Sequence, residues 1–187
     1  MKHEIEFLGI EECIDSNFVK AKSMLYIQNG VKKRWDFVKS HDSVAILLYH
    51  KDRDSFVFVK QFRPTIFLRN QDGFTYELCA GLVDKEMSLK QIAKEEIEEE
   101  VGFSVPMDKI KKITSFYTAV GFAGGKQTLY HASLDDSMKI SEGGGIDNEF
   151  IEVVYIPKDE VLSFMENEEI VKTSGLMFAL MWWFANQ

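Results

Sequence analysis

The chain has 187 residues, 45% of them hydrophobic, which suits one domain, or one with a small appendage, that buries a real core. Its net charge of −8, with the acid concentrated in one stretch, argues against nucleic-acid binding, because phosphate backbones select basic surfaces. It has no uninterrupted apolar run of the roughly eighteen residues that a membrane span needs, no signal-peptide core near Met1, and only two cysteines, Cys13 and Cys79, so the expectation is a cytoplasmic protein with structural thiols and no membrane partner.

The first half reads as strands. Phe18 to Ile27 is rich in apolar and β-tolerant residues, and Asn29-Gly30 then signals a tight turn from which Val31 to Val38 pairs back. Ser43 to Tyr49 is a continuous apolar run, expected of a strand buried on both faces. Asp52-Arg53-Asp54 makes a turn, Phe56 to Phe62 forms the next strand and closes at Pro64, and Phe74 to Ala80 is a short strand ending at Gly81. A helix follows from Ser88 to Val101, begun by the capping-box spacing of Ser88 and Gln91 and stopped by Gly102. Strands resume at Lys112 to Thr118, Gln127 to Ala132 and Phe150 to Ile156, the last two separated by a glycine-rich loop, Glu142 to Asn148. Lys158 to Glu166 and Thr173 to Phe184 are helical, the latter a core or dimer-facing helix. The fold class is α+β, with helices packed on a mixed sheet.

The strongest signal is where the acids fall. Between Asp84 and Glu100 stand seven acidic residues against Lys85, Lys90 and Lys94, a local excess that is half the net charge. Such a run ordinarily marks a solvated helix face. At about 100° per residue, with Glu96 at 0°, Leu89 falls near 20°, Glu100 near 40°, Ala93 near 60° and Ile97 near 100°. Ile92 falls near −40° and Glu99 near −60°. Glu96 and Glu100 therefore lie within the apolar stripe and Glu99 beside it. Like charges four apart repel, acids in the last turns oppose the helix dipole, and inward carboxylates pay desolvation. A divalent cation offsets all three, and oxygen-only ligands at this spacing favour Mg²⁺ or Mn²⁺ over Zn²⁺. The alternative is a carboxylate cluster paired with arginines from elsewhere, Arg63 among them. His41 and His50 lack metal-ligand partners nearby in sequence and read as structural.

The stretch from Gly81 through Glu86-Met87 to Glu95-Glu96-Ile97-Glu98-Glu99-Glu100-Val101-Gly102-Phe103 resembles the Nudix box, with both glycines, the apolar positions and three glutamates in register. It departs at Met87, where a glutamate is usual and Glu86 stands one residue off, and at Glu95, where an arginine usually braces the glutamates. Lys33 to Val38, Val59 to Pro64, Tyr76 to Asp84 and Asp147 to Val153 further resemble the dimeric ADP-ribose and UDP-sugar diphosphatases of that superfamily, nearest the UDP-glucose branch. The resemblance covers roughly residues 25 to 157.

It implies a Nudix fold, a mixed sheet between helices, in residues 41–187. Residues 1–40 would be a strand-rich segment for dimerisation and base binding. It also implies metal held by the Ala80 carbonyl, Glu96, Glu99, Glu100 and Glu149, with Glu149, Asp147 and Glu99 as the catalytic acids. Trp35 would stack on the base with Asp36 at its edge, and Arg63 and Leu82 would contact substrate. Asp147 and Asn148, which follow three glycines, are equally turn formers. Lys126 and Gln127 are substrate contacts or ordinary residues at the start of a strand. The implied reaction is Mg²⁺-dependent attack of water on the diphosphate of a nucleotide sugar by a homodimer. Two rivals stay open: ADP-ribose rather than UDP-glucose as substrate, and a Nudix-fold sensor that binds a nucleotide sugar without catalysis.

Overall fold

The computed structural model describes residues 5–14, 16, 19–146 and 149–186. β1 (Ala21–Gln28) and β2 (Val31–Val38) form an antiparallel hairpin of their own. Its turn rests on Asn29 and Gly30, both with positive φ, as the sequence pattern requires. The expected start of β1, Phe18, lies outside the described residues.

The main sheet runs β5 (Phe74–Glu77), β4 (Ser55–Phe62), β3 (Ser43–His50), β8 (Gly125–Leu134), β7 (Lys111–Thr118), with β6 (Cys79–Leu82) on β3 and β9 (Ile151–Pro157) on β4. The β3–β8 pairing is parallel and the others are antiparallel, so the sheet is mixed. The start of β3 pairs with β6 and its end with β4. That split is why the stretch read as one strand, Phe74 to Ala80, is two: β5 serves β4 and β6 serves β3. β4 ends at Phe62, before Pro64 as expected, and Arg63 and Pro64 then cap and open a short helix that the sequence reading did not name, α1 (Pro64–Asn70), with Pro at a position where its missing N–H costs nothing.

Successive residues of β3 enter two separate cores, which explains its unbroken apolar run. Val44, Ile46 and Leu48 pack with Val57, Val59 and the apolar side of α2 (Leu89–Glu96), including Ile92 and Ala93. Ala45 and Leu47 pack with Phe56, Phe58 and two C-terminal helices, α3 (Val161–Glu166) and α4 (Ser174–Ala185). The sheet thus lies between helices, as the resemblance implied. In α4, Leu176, Ala179, Leu180 and Trp183 are buried, so this helix is core, although Phe178 and Met181 face outward. No helix among the described residues is long and apolar enough to cross a membrane.

Candidate active site

Ser88 starts α2 through a complete capping box with Gln91. The expected single helix to Val101 is in fact two segments. After Glu96 the chain widens into a π turn, Ile97–Val101, whose closing bond runs from the Gly102 N–H to the Ile97 carbonyl over 3.0 Å. A π turn holds more residues than an α turn, so the side chains after Ile97 fall behind the 100° schedule, and such turns recur at functional sites. Gly102 ends it with φ 82°, and a Cβ there would sit 2.4 Å from the Ser141 carbonyl oxygen.

The glycine-rich loop caps the helix end. Gly144 N–H donates to the Glu100 carbonyl (2.9 Å) and Gly145 N–H to the Glu99 carbonyl (3.1 Å), so carbonyls that would otherwise lack partners are satisfied by this loop. This docking carries Glu149 toward the acids of the π turn. Asp147 and Asn148 lie outside the described residues.

Glu100 is 6% exposed. Its carboxylate accepts the Ala80 N–H of β6 (3.0 Å) and the Cys79 thiol. Burial pushes its pKa up to about 8, against the pull of the Ala80 N–H; Glu96 and Glu149 raise it further and the Cys79 thiol lowers it. Glu96 is raised to about 7 by burial and by Glu99, opposed by Lys85, with Glu149 and Asp84 adding to the rise. Gly81 makes room for it: a Cβ there would lie 1.9 Å from Glu96 Oε1. Residues from β6, α2, the π turn and the loop before β9 thus converge: Glu99 and Glu149 act on Glu96, Glu96 and Glu149 act on Glu100, and Ala80 meets Glu100 through its N–H. Their donors are oxygens and their charges go largely uncompensated, a set that fits a hard divalent cation.

Arg63 stands at the edge of this group. Its Nε and Nη2 fork onto Glu77 at 2.7 and 2.9 Å, and Thr75 Oγ1 donates to the same carboxylate at 2.5 Å. Glu77, and at longer range Glu100 and Glu149, keep the guanidinium charged. Arg63 therefore pairs first with Glu77, a residue that the sequence reading did not single out. Leu82, 54% exposed, ends β6.

The two departures from the box have local partners. Glu95 pairs with Lys85 at 3.0 Å, and Glu95, Glu99 and Glu96 all raise the Lys85 pKa, so a lysine before the helix supplies cationic bracing. Met87 packs against the core beside α2, whereas Glu86 is exposed.

Trp35 and Asp36 sit on the separate hairpin. Strand alternation puts them on opposite faces. The Trp35 indole N–H donates to the Gly121 carbonyl (2.9 Å), and the ring lines a cavity of about 390 Å³ with Met24, Tyr26, Phe37, Phe122 and Gly124. Asp36 instead accepts from Ser23 Oγ (2.5 Å) and Arg34 Nε (2.9 Å), so it does not stand at the edge of a base stacked on Trp35. Lys126 and Gln127 belong to β8: Asp42 accepts the Lys126 N–H, and the Gln127 amide donates to Ser43 Oγ.

The family model of the NUDIX domain matches residues 39–174. A uridine diphosphate glucose pyrophosphatase of Bos taurus is 35% identical, over 97% of this chain and 95% of its own. A GDP-mannose pyrophosphatase of Enterobacter sp. (strain 638) is 29% identical, over 95% of this chain and 94% of its own. A solved structure described as an ADP compounds hydrolase superposes with a TM-score of 0.64 at 18% identity, covering 86% of this chain and 82% of that one, a likeness of fold.

Proposed function

This chain belongs to the NUDIX domain family, and on that premise we propose that it hydrolyses the diphosphate bond of nucleoside diphosphate sugars, giving a nucleoside monophosphate and a sugar phosphate. The observation that carries the reading is the pair of inward carboxyls, Glu96 seated against Gly81 and Glu100 on the Ala80 N–H, whose pKa values burial and neighbouring carboxylates raise to about 7 and about 8. The names of the relatives support the substrate class, a nucleotide sugar, with UDP-glucose first.

In this reading Glu96, Glu99, Glu100, Glu149 and the Ala80 carbonyl would hold Mg²⁺, or Mn²⁺ in its place. The bound cation would neutralise the diphosphate and make water more acidic. The chain's own groups do the rest. Ala80 N–H and the Cys79 thiol fix the Glu100 carboxylate. Glu77 holds two nitrogens of Arg63, leaving Nη1 to meet a diphosphate oxygen. Glu149, on the loop before β9, accepts the proton of the attacking water as the P–O bond forms and the bridging oxygen leaves; Asp147 and Glu99 are the other acids considered for this role. Leu82 offers an apolar contact at the site edge. Trp35 stacks on the base within its cavity.

We assign residues 41–187 to the catalytic domain and 1–40 to dimerisation and base binding. A two-stranded hairpin alone is marginal, and this one exposes Leu25 and Ile27 on the face opposite the Trp35 cavity, apolar side chains that a second copy would cover. The exposed free thiol of Cys13 accords with a reducing compartment, the cytoplasm. The test is turnover of UDP-glucose, GDP-mannose and ADP-ribose with Mg²⁺, with products resolved by chromatography. Monophosphate and sugar phosphate from at least one of them, lost on adding chelator, is expected; no turnover of any nucleotide sugar would overturn the proposal.

A further inference from the structure

The sequence reading set His50 aside as structural, yet it stands among acids at the far end of β3. Ala45 of β3 pairs with Ala80 beside the carboxylate site, and His50 lies five residues further on, about 16 Å at 3.3 Å per residue. The His50 side chain is fully buried, and neither ring nitrogen has a hydrogen-bond partner among the described residues. Leaving a buried imidazole unsatisfied is costly. Its Nε2 is 3.3 Å from Asp136 Oδ1, but out of line for a hydrogen bond. Ligand atoms of His50, Asp52 and Asp136 all lie within 4.8 Å of one another.

We propose that His50, Asp52 and Asp136 form a second divalent-cation site, of the zinc class, distinct from the carboxylate site of the proposed hydrolase. Two ligands about 2.0–2.1 Å from a tetrahedral ion stand roughly 3.3–3.4 Å apart, the separation seen between His50 and Asp136. One imidazole with two carboxylates suits Zn²⁺ and disfavours Mg²⁺, which takes oxygen ligands. The site is preorganised: Asp52 Oδ2 accepts the Asp136 N–H at 2.8 Å, and Phe103 and Tyr155 meet the imidazole edge-on. Asp52 and Asp136 are exposed, so water completes the coordination. Arg53 is the competing cation; its Nε reaches Asp136 Oδ1 only at 3.9 Å, while its guanidinium lies over the Tyr155 ring. A cation here would clip three segments together: the end of β3, the turn before β4 and the 3₁₀ turn Asp136–Met138 after β8.

The test uses the full chain carrying Cys13→Ser, Glu96→Gln and Glu100→Gln, which removes the exposed thiol and disables the other cation site. Zn²⁺ is titrated by calorimetry and by thermal melting. One equivalent per chain and a raised Tm are expected. Asp52→Asn and Asp136→Asn, both at the surface, should each weaken Zn²⁺ binding at least about tenfold. Cu²⁺ bound in place of Zn²⁺ should show a single imidazole nitrogen by electron paramagnetic resonance, lost in His50→Gln. In the otherwise native chain, Asp52→Asn and Asp136→Asn should leave nucleotide-sugar turnover unchanged. Absence of Zn²⁺ binding at millimolar concentration, or binding that neither aspartate variant weakens, would overturn the proposal.

Discussion

Replacing Glu100 with Gln separates the cost of the buried charge from the gain of a bound cation. Burial lifts the Glu100 pKa from 4.5 to about 8. Between those pH values the folded chain keeps a proton that the unfolded chain has released, so stability falls as pH rises through the window and levels off above it. At about 1.4 kcal/mol per pKa unit, the cost approaches a ceiling of about 5 kcal/mol, shared with Glu96 because the two repel. In Glu100→Gln that pH-dependent loss disappears. The new amide N–H₂ groups cost a pH-independent ~1–3 kcal/mol, so the slope rather than the absolute stability carries the comparison. The assay is thermal melting from pH 5 to pH 9 in chelator, then with Mg²⁺ or Mn²⁺. At about 2–4 °C per kcal/mol for a chain of this size, the parent should lose roughly 10 °C more than the variant across the range. Added cation should restore the parent at high pH and leave Glu100→Gln nearly unmoved. Parallel melting curves, or equal rescue of both proteins by the cation, would refute the reasoning.

Gly81→Ala puts a methyl group where Glu96 lies, so turnover should fall about a hundredfold while the fold survives, as checked by activity alongside circular dichroism. Glu77→Gln frees the Arg63 fork, and KM for a nucleotide sugar should rise about tenfold with a smaller change in kcat. Trp35→Ala should raise KM roughly tenfold and leave turnover of a base-free diphosphate unchanged, measured by steady-state kinetics. Leu25→Asp with Ile27→Asp should shift a dimer toward monomer in light scattering, because both side chains lie exposed on the hairpin.

The elements most legible in the sequence were those set by local chemistry. Asn29-Gly30 fixed the hairpin, the Ser88 capping box fixed the start of α2, and the apolar run of β3 revealed a strand buried on both faces. The inward placement of Glu96 and Glu100 was legible from periodicity. What periodicity missed depends on contacts between distant segments. The π turn arises where the helix end meets Gly102, Ser141 and the loop amides of Gly144 and Gly145, more than forty positions away in the last two cases. Phe74 to Ala80 splits because two different strands claim its halves. Glu77 went unnoticed because its partner, Arg63, lies fourteen residues earlier and meets it only through the β4–β5 pairing. Lys85 was readable as a charge but not as the partner of Glu95, since the pair forms only when the segment before α2 folds back. The nearness of Asp136 to His50 was hidden in the same way, because the two meet only through the parallel pairing of β3 with β8.

The most direct test is a crystal soaked in Mn²⁺, with the anomalous signal mapped. A manganese peak within bonding distance of Glu96 and Glu100, close to the Ala80 carbonyl, is the predicted result. Full manganese occupancy elsewhere in the crystal with none between those two glutamates would contradict it.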